Sequence, residues 1–207
     1  MSKLYLVGIG PGSKEYLTFE AVKVVENSEI VVGSKRSLEL FSDIDAEKIE
    51  LGAHNMGEIF SLAVSKACEG KIVSILSTGD PGFSGVLKPI KKLAGKLKFE
   101  VIPGISSVQI CASKLHISWD EANILTMHGK GISDGLIPLL LNGKPTILLP
   151  NKTIEETVKH LLKNGIDPDR KAAVCENISY ENEKIIKTSL KNLLNERFGY
   201  MCVLVVY

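Results

Sequence analysis

Short apolar runs alternate along this chain with longer segments whose apolar positions recur at helical spacing. In the first half, runs at 4–7, 29–32, 72–76 and 99–102 predict buried strands. The intervening and following patterns predict helices over 18–27, 35–41, 55–68, 84–94 and 106–115. In the 55–68 segment Ile59, Leu62, Ala63 and Cys68 fall near one helical face. Strand and helix in repeated alternation is the pattern of βα units in a largely parallel sheet, so the fold class is α/β.

The second half has a different texture. Strands are expected at 123–127, 146–149, 172–175, 184–186 and 201–206, with helices at 136–141 and 189–196. Thr153-Ile154-Glu155-Glu156 reads as a capping box opening a helix that stops at Gly165. Strands this closely spaced predict a mixed sheet. The expected junction lies near Leu115 to Asp120, giving domains 1–115 and 116–207. No internal repeat or low-complexity segment is evident.

Three of the first-half strands run into loops of glycine, proline and small polar residues. They are Val7-Gly8-Ile9-Gly10-Pro11-Gly12, Ser77-Thr78-Gly79-Asp80-Pro81-Gly82-Phe83-Ser84-Gly85 and Ile102-Pro103-Gly104-Ile105-Ser106-Ser107. In an open parallel sheet such loops gather on one edge, where ligands bind. Glycine there lets backbone approach a ligand closely, and Gly10 and Gly79 are the expected points of approach.

A dinucleotide fingerprint fails in the first loop, because Ser13 stands where the third glycine is required. Pro11 also removes a donor that a pyrophosphate needs. No G-x-x-x-x-G-K-[ST] occurs, which disfavours a nucleoside triphosphatase. Asp80 before Pro81 suits either a helix cap or a contact to a ligand's amino and hydroxyl groups. Ser106 and Ser107 at a helix start suit caps or a bound carboxylate equally. His128, in Met127-His128-Gly129-Lys130, follows a strand and is either structural or part of an anion site. Lys35-Arg36 after Gly33 is a second local basic pair; such pairs are solvated by default but recognise carboxylates well.

Composition narrows the partners. The 207 residues are 44% hydrophobic and 24% charged, an ordinary globular balance, and the net charge of +1 gives no global attraction to nucleic acid or membrane. No apolar run is long enough to span a bilayer and no leader-like segment opens the chain, so a cytoplasmic location is expected. Cys68, Cys111, Cys175 and Cys202 form no C-x-x-C pair, and His54, His116, His128 and His160 lack ligand spacing. No metal site is expected.

Taken in order, the loops resemble those of the tetrapyrrole methylase family. The likeness covers essentially the whole chain: the opening G-x-G-P-G, the central S-T-G-D-P, the V-I-P-G-I-S-S segment, the later H-G-K and the Cys175-to-Tyr180 stretch with Glu181 to Lys184. Within the family it is most similar to the branch that methylates carbon 5 of cobalt-precorrin-7 in cobalamin biosynthesis. Val32-Gly33-Ser34-Lys35-Arg36-Ser37-Leu38, Ser106-Ser107-Val108-Gln109, Trp119, His128-Gly129-Lys130 and Glu176-Asn177 to Glu183 point that way.

The resemblance implies two unequal α/β domains with S-adenosylmethionine in the cleft between them. It places that cofactor against Pro11, Gly79, Asp80, Phe83, Ser106 and Ser107, and against Pro150, Ala173 and Val174 in the second domain. The corrinoid substrate, with its acetate and propionate arms, is expected on Gly10, Lys35, Arg36 and Lys130, with His128 the candidate for assisting proton loss. A homodimer is expected, and a separate carbon-15 methyltransferase and decarboxylase as pathway partner, because the chain ends at Tyr207. Two alternatives stand beside this reading: a family member acting at another ring position or on diphthamide, and a non-catalytic small-ligand-binding α/β protein.

Overall fold

The computed structural model describes residues 3–207 except Ala53, Lys130, Ile132, Asp134 and Lys152. The chain divides into two compact units, Met1–Ser106 and Ser107–Tyr207. The helix after the third glycine loop therefore goes with the second unit, and the division falls upstream of the junction expected near 115–120. The units differ in build more than in length.

The first unit runs β1 (Leu4–Gly8), α1 (Phe19–Glu26), β2 (Ile30–Gly33), α2 (Lys35–Glu39), β3 (Glu47–Glu50), α3 (Met56–Cys68), β4 (Val73–Ser77), α4 (Leu87–Leu93) and β5 (Phe99–Ile102). Its sheet has the order β3-β2-β4-β1-β5, and every pairing is parallel. Side chains alternate between two apolar layers, as the pleat requires. Leu4, Leu6, Ile30, Val32, Val73 and Ile75 pack on Phe60 and Ala63 of α3 and Ile90 of α4. Val7, Val31 and Leu76 pack on Ala21 and Val25 of α1. Covered on both faces, β4 is buried throughout, so it reads as an unbroken apolar run with two serines. One of these, Ser74, meets Ser28 through their hydroxyls at 2.7 Å, which satisfies both buried groups.

The second unit runs α5 (Ser107–Leu115), β6 (Asn123–Thr126), α6 (Leu136–Leu140), β7 (Thr146–Leu149), α7 (Ile154–Lys163), β8 (Lys171–Glu176), β9 (Lys184–Ser189), α8 (Leu190–Leu193) and β10 (Cys202–Val206). The sheet order is β6-β7-β10-β8-β9, with β6 and β7 parallel and the other neighbours antiparallel. This is the mixed sheet the strand spacing predicts. One face packs on α6, α7 and α8 through Leu148, Val174 and Leu204. On the other, α5 lies against β7 and β10. Thr153 caps α7, its hydroxyl accepting the Glu156 N–H at 3.1 Å. Among the described residues, no helix is long and apolar enough to cross a membrane.

Candidate functional site

All strands of the first sheet point one way, so the residues after β1, β2, β4 and β5 share one edge. Neighbouring β1 and β4 send their chains in opposite directions along the sheet, to β2 and to β5. The edge between them is the switch point of the topology, the usual ligand position in open α/β sheets. The two glycine loops meet there. Gly79 N–H donates to the Gly10 carbonyl at 2.7 Å, and Ile9 N–H to the Ser77 carbonyl at 3.0 Å. Gly10 and Gly79 have φ of +72° and +68°, backbone that a side chain strains.

The loops are interlocked by absent side chains. A Cβ on Gly8 would lie 2.6 Å from Gly104 Cα and 2.8 Å from the Gly79 carbonyl oxygen. A Cβ on Gly104 would lie 2.6 Å from the Gly8 carbonyl carbon. Gly79 differs: beyond its own chain neighbours, the nearest atom to its would-be Cβ is Ser106 Cα at 3.7 Å, so space opens above it. Sequence reasoning singled out Gly10 and Gly79 but not the packing role of Gly8 and Gly104.

Asp80 does not cap a helix beginning at Pro81, because α4 starts at Leu87. Its carboxylate instead accepts the Gly82 N–H at 2.7 Å and the Gly104 N–H at 3.1 Å, lacing the second loop to the third. Pro11 is buried in the same edge, Phe83 is half-buried, and Ser106 and Ser107 lead into α5. Lys35 and Arg36 are exposed in the first turn of α2, directly after β2, with Ser34 as cap.

In the second unit β6, β7 and β8 end on one edge, where β9 and β10 begin. His128 follows β6, Pro150 follows β7 and is buried, and Glu176 closes β8. The His128 ring is held by a residue that sequence reasoning missed: the Tyr200 hydroxyl lies 2.6 Å from its Nε2. Glu176 in turn accepts the Gly199 N–H. Ala173 and Val174 lie within β8, fully buried and paired on both sides, so neither side chain is open to a ligand. Lys130 lies outside the described residues.

Glu183, just before β9, meets Lys114 of α5 at 2.6 Å and accepts the Ser179 N–H at 3.0 Å. Burial pushes its carboxyl up, but these two partners hold it below the ordinary carboxylate range. Three thiols lie beneath this edge. Cys111 of α5 and Cys175 of β8 are in contact at 3.2 Å, and burial pushes the Cys202 thiol up to about 12. Among the described residues, no three metal-binding side chains converge.

Comparison with known proteins fixes the family. The profile of Tetrapyrrole (Corrin/Porphyrin) Methylases matches residues 3–194. The chain belongs to the tetrapyrrole methylases. The probable cobalt-precorrin-7 C(5)-methyltransferase of Methanocaldococcus jannaschii is 48% identical over 204 residues, 98% of this chain and 96% of that one. The fold matches the crystal structure of precorrin-6Y methylase of cobalamin biosynthesis from Archaeoglobus fulgidus, with a TM-score of 0.79 at 22% identity, covering 100% of this chain and 98% of that one. It also matches uroporphyrin-III C-methyltransferase from Thermus thermophilus in complex with S-adenyl homocysteine, with a TM-score of 0.79 at 22% identity, covering 99% and 92%. As a tetrapyrrole methylase the chain has a methyl-transferring function and S-adenosylmethionine as its methyl source.

Proposed function

We propose that this tetrapyrrole methylase transfers a methyl group to carbon 5 of cobalt-precorrin-7 in cobalamin biosynthesis. The observation that carries the reading is the likeness to the Methanocaldococcus jannaschii protein, which extends over nearly the whole of both chains. S-adenosylmethionine, when bound, supplies a methyl group already activated on a sulfonium. The chain's own task is to hold that methyl in line with a ring carbon and to take up the proton that the carbon loses.

The first unit's edge suits the holding. Gly79 offers a cradle that a Cβ would fill, bordered by Gly10 and Ser106 and braced from below by Asp80. Pro11, Phe83 and Ser107 complete the cofactor contacts on this side, with Pro150 assigned to it from the second unit by family likeness; Ala173 and Val174, buried within β8, offer it no side chain. Lys35 and Arg36 suit the corrinoid's carboxylate arms. Both are exposed and follow directly on the end of β2. Family likeness assigns Gly10 and Lys130 to the substrate as well. His128 is the proposed proton acceptor. The reading includes a single methylation with carbon dioxide retained, a homodimer, and a separate enzyme for carbon 15.

The test is incubation of the purified chain with S-adenosylmethionine and cobalt-precorrin-7, with mass and NMR analysis of the product. One added methyl at carbon 5, with no loss of carbon dioxide, is expected. Methylation at another ring carbon overturns the assignment. Saturable S-adenosylhomocysteine binding with no transfer to any tetrapyrrole favours a binding protein instead.

A further inference from the structure

We propose that Tyr200 is a positioning residue that fixes the tautomer and orientation of His128; this rests on the reading of His128 as proton acceptor. Tyr200 is 64% exposed, yet it is held at both ends. At its ring, the hydroxyl lies 2.6 Å from His128 Nε2 and 3.3 Å from Nδ1, and the two rings are 5.1 Å apart. At its backbone, the turn before β10 is pinned to the end of β8. Gly199 N–H donates to the Glu176 carboxylate, Asn177 N–H donates to the Met201 carbonyl at 2.9 Å, and the Cys202 thiol donates to the Gly199 carbonyl at 3.3 Å. Gly199 is suited to this place, since a Cβ there would come within 3.0 Å of Glu176 Oε1. Strand order puts β7 between β6 and β10, so the tyrosine reaches across the end of β7 to its histidine. A surface tyrosine with no task keeps its rotamer freedom; this one is tied to two other strands.

The chemistry gives the contact a purpose. A neutral imidazole has one N–H and one lone pair, and a base needs the lone pair turned toward its substrate. In the proposed tautomer Nε2, the nitrogen nearer the hydroxyl, donates its N–H to the phenol oxygen and Nδ1 is the acceptor. With the cofactor bound, the ring carbon would form its bond to the methyl as the methyl–sulfur bond breaks, the electron pair staying on sulfur in the departing S-adenosylhomocysteine. The carbon–hydrogen bond at that ring carbon then breaks, its electron pair returns to the ring, and the proton goes to Nδ1. The Nε2–H bond to Tyr200 persists throughout, so the imidazole does not turn while it is charged.

Nitrogen-15 NMR of the free protein reads the tautomer directly, without substrate. The Nε2–H form of His128 is expected to dominate in the wild type, and Tyr200→Phe is expected to shift the population toward Nδ1–H. With cobalt-precorrin-7, Tyr200→Phe is expected to lower kcat by roughly ten- to hundred-fold, with the corrinoid KM and S-adenosylhomocysteine affinity unchanged. In a His128→Gln background the same change is expected to add nothing. Glu176→Gln, which keeps an acceptor for Gly199, is expected to retain most of the activity. An unchanged tautomer population, an unchanged kcat, or losses that add to those of His128→Gln overturn the proposal. If methyl transfer is absent in the wild type, the function reading fails while the tautomer result still decides the Tyr200 contact.

Discussion

The strand-end edges of the two units are built from opposite materials. The first is made of backbone: Gly8, Gly10, Gly79 and Gly104 bring three loops together, and the Asp80 carboxylate accepts the backbone N–H groups of Gly82 and Gly104. The second is made of side chains: His128 with Tyr200, Glu176 with Gly199, and Glu183 with Lys114. An all-parallel sheet buried on both faces leaves only its strand ends to bear function, and close approach there demands glycine. An antiparallel strand such as β10 returns to the edge and brings side chains with it. Holding a reactive cofactor suits the first arrangement, and handling a proton suits the second.

The sharpest test of the backbone edge is to give it a side chain. Gly104→Ala places a Cβ 2.6 Å and 2.7 Å from two backbone atoms of Gly8, in a spot where neither strand end is free to move. A loss of more than about 3 kcal/mol in urea unfolding is expected, together with loss of S-adenosylhomocysteine binding. A stable Gly104→Ala protein would break the comparison. Gly79→Ala tests the opposite property. Its Cβ has room, with Ser106 Cα at 3.7 Å, but φ is +68°. The expected cost is about 1–2 kcal/mol from the left-handed backbone, with a folded protein whose S-adenosylhomocysteine affinity, by isothermal titration, falls roughly tenfold or more. Normal binding in a folded Gly79→Ala protein would remove the cradle from the site.

The backbone edge was largely legible in the sequence and the side-chain edge only in part, because legibility follows burial and local contact. Strands β1 and β4 are visible as apolar runs, and the Thr153 cap is visible because its partner lies three residues on. Strand β3, Glu47-Lys48-Ile49-Glu50, is not: it is an edge strand paired only with β2 and mostly exposed, so it lacks an apolar face to betray it. Asp80-Pro81 looks locally like a helix start, and nothing nearby reveals that the carboxylate reaches Gly104, 24 residues away. Tyr200 sits in a polar tail and its partner His128 is 72 residues distant. Glycines signal that backbone is needed close by, whereas a pair made by sheet order leaves no local trace.

The side-chain edge should respond to pH. Glu183→Gln removes the ion pair with Lys114 at 2.6 Å. The pair is mostly shielded, and a loss of about 1 kcal/mol at neutral pH is expected. The Glu183 carboxyl is depressed in the folded state, so its contribution is full above the unfolded value near 4.5 and fades as pH falls through the folded value. Wild type and variant are therefore expected to converge in stability in acid. A gap that persists in acid would mean that Glu183 acts by packing alone.

At the alkaline end the sign reverses, and the effect is smaller. Burial, with the Glu176 carboxylate and Cys175 nearby, pushes the Cys202 thiol up to about 12 from an ordinary 9.0. The folded state keeps this proton after the unfolded chain has released it. The contribution is thus full below pH 9 and is lost as pH rises toward about 12. Cys111 is raised by its hydrogen bond to Cys175 and by burial, while Cys175 is lowered by that same bond, so the alkaline effect is carried by Cys202. Cys68, in the first unit, is exposed. Cys202→Ala is expected to be less stable at neutral pH through lost packing, yet to show a flatter decline between pH 9 and 11 than the wild type. Equal slopes would mean that the thiol titrates as freely in the folded protein as in the unfolded one, and that the turn carrying Gly199 and Tyr200 is open to water. An alkylating reagent gives an independent reading: Cys68 is expected to react in the native protein, and Cys111, Cys175 and Cys202 only after unfolding. Rapid labelling of Cys202 in the native state would show that the Tyr200 turn is loosely held, and would weaken the case for a second edge built on fixed side chains.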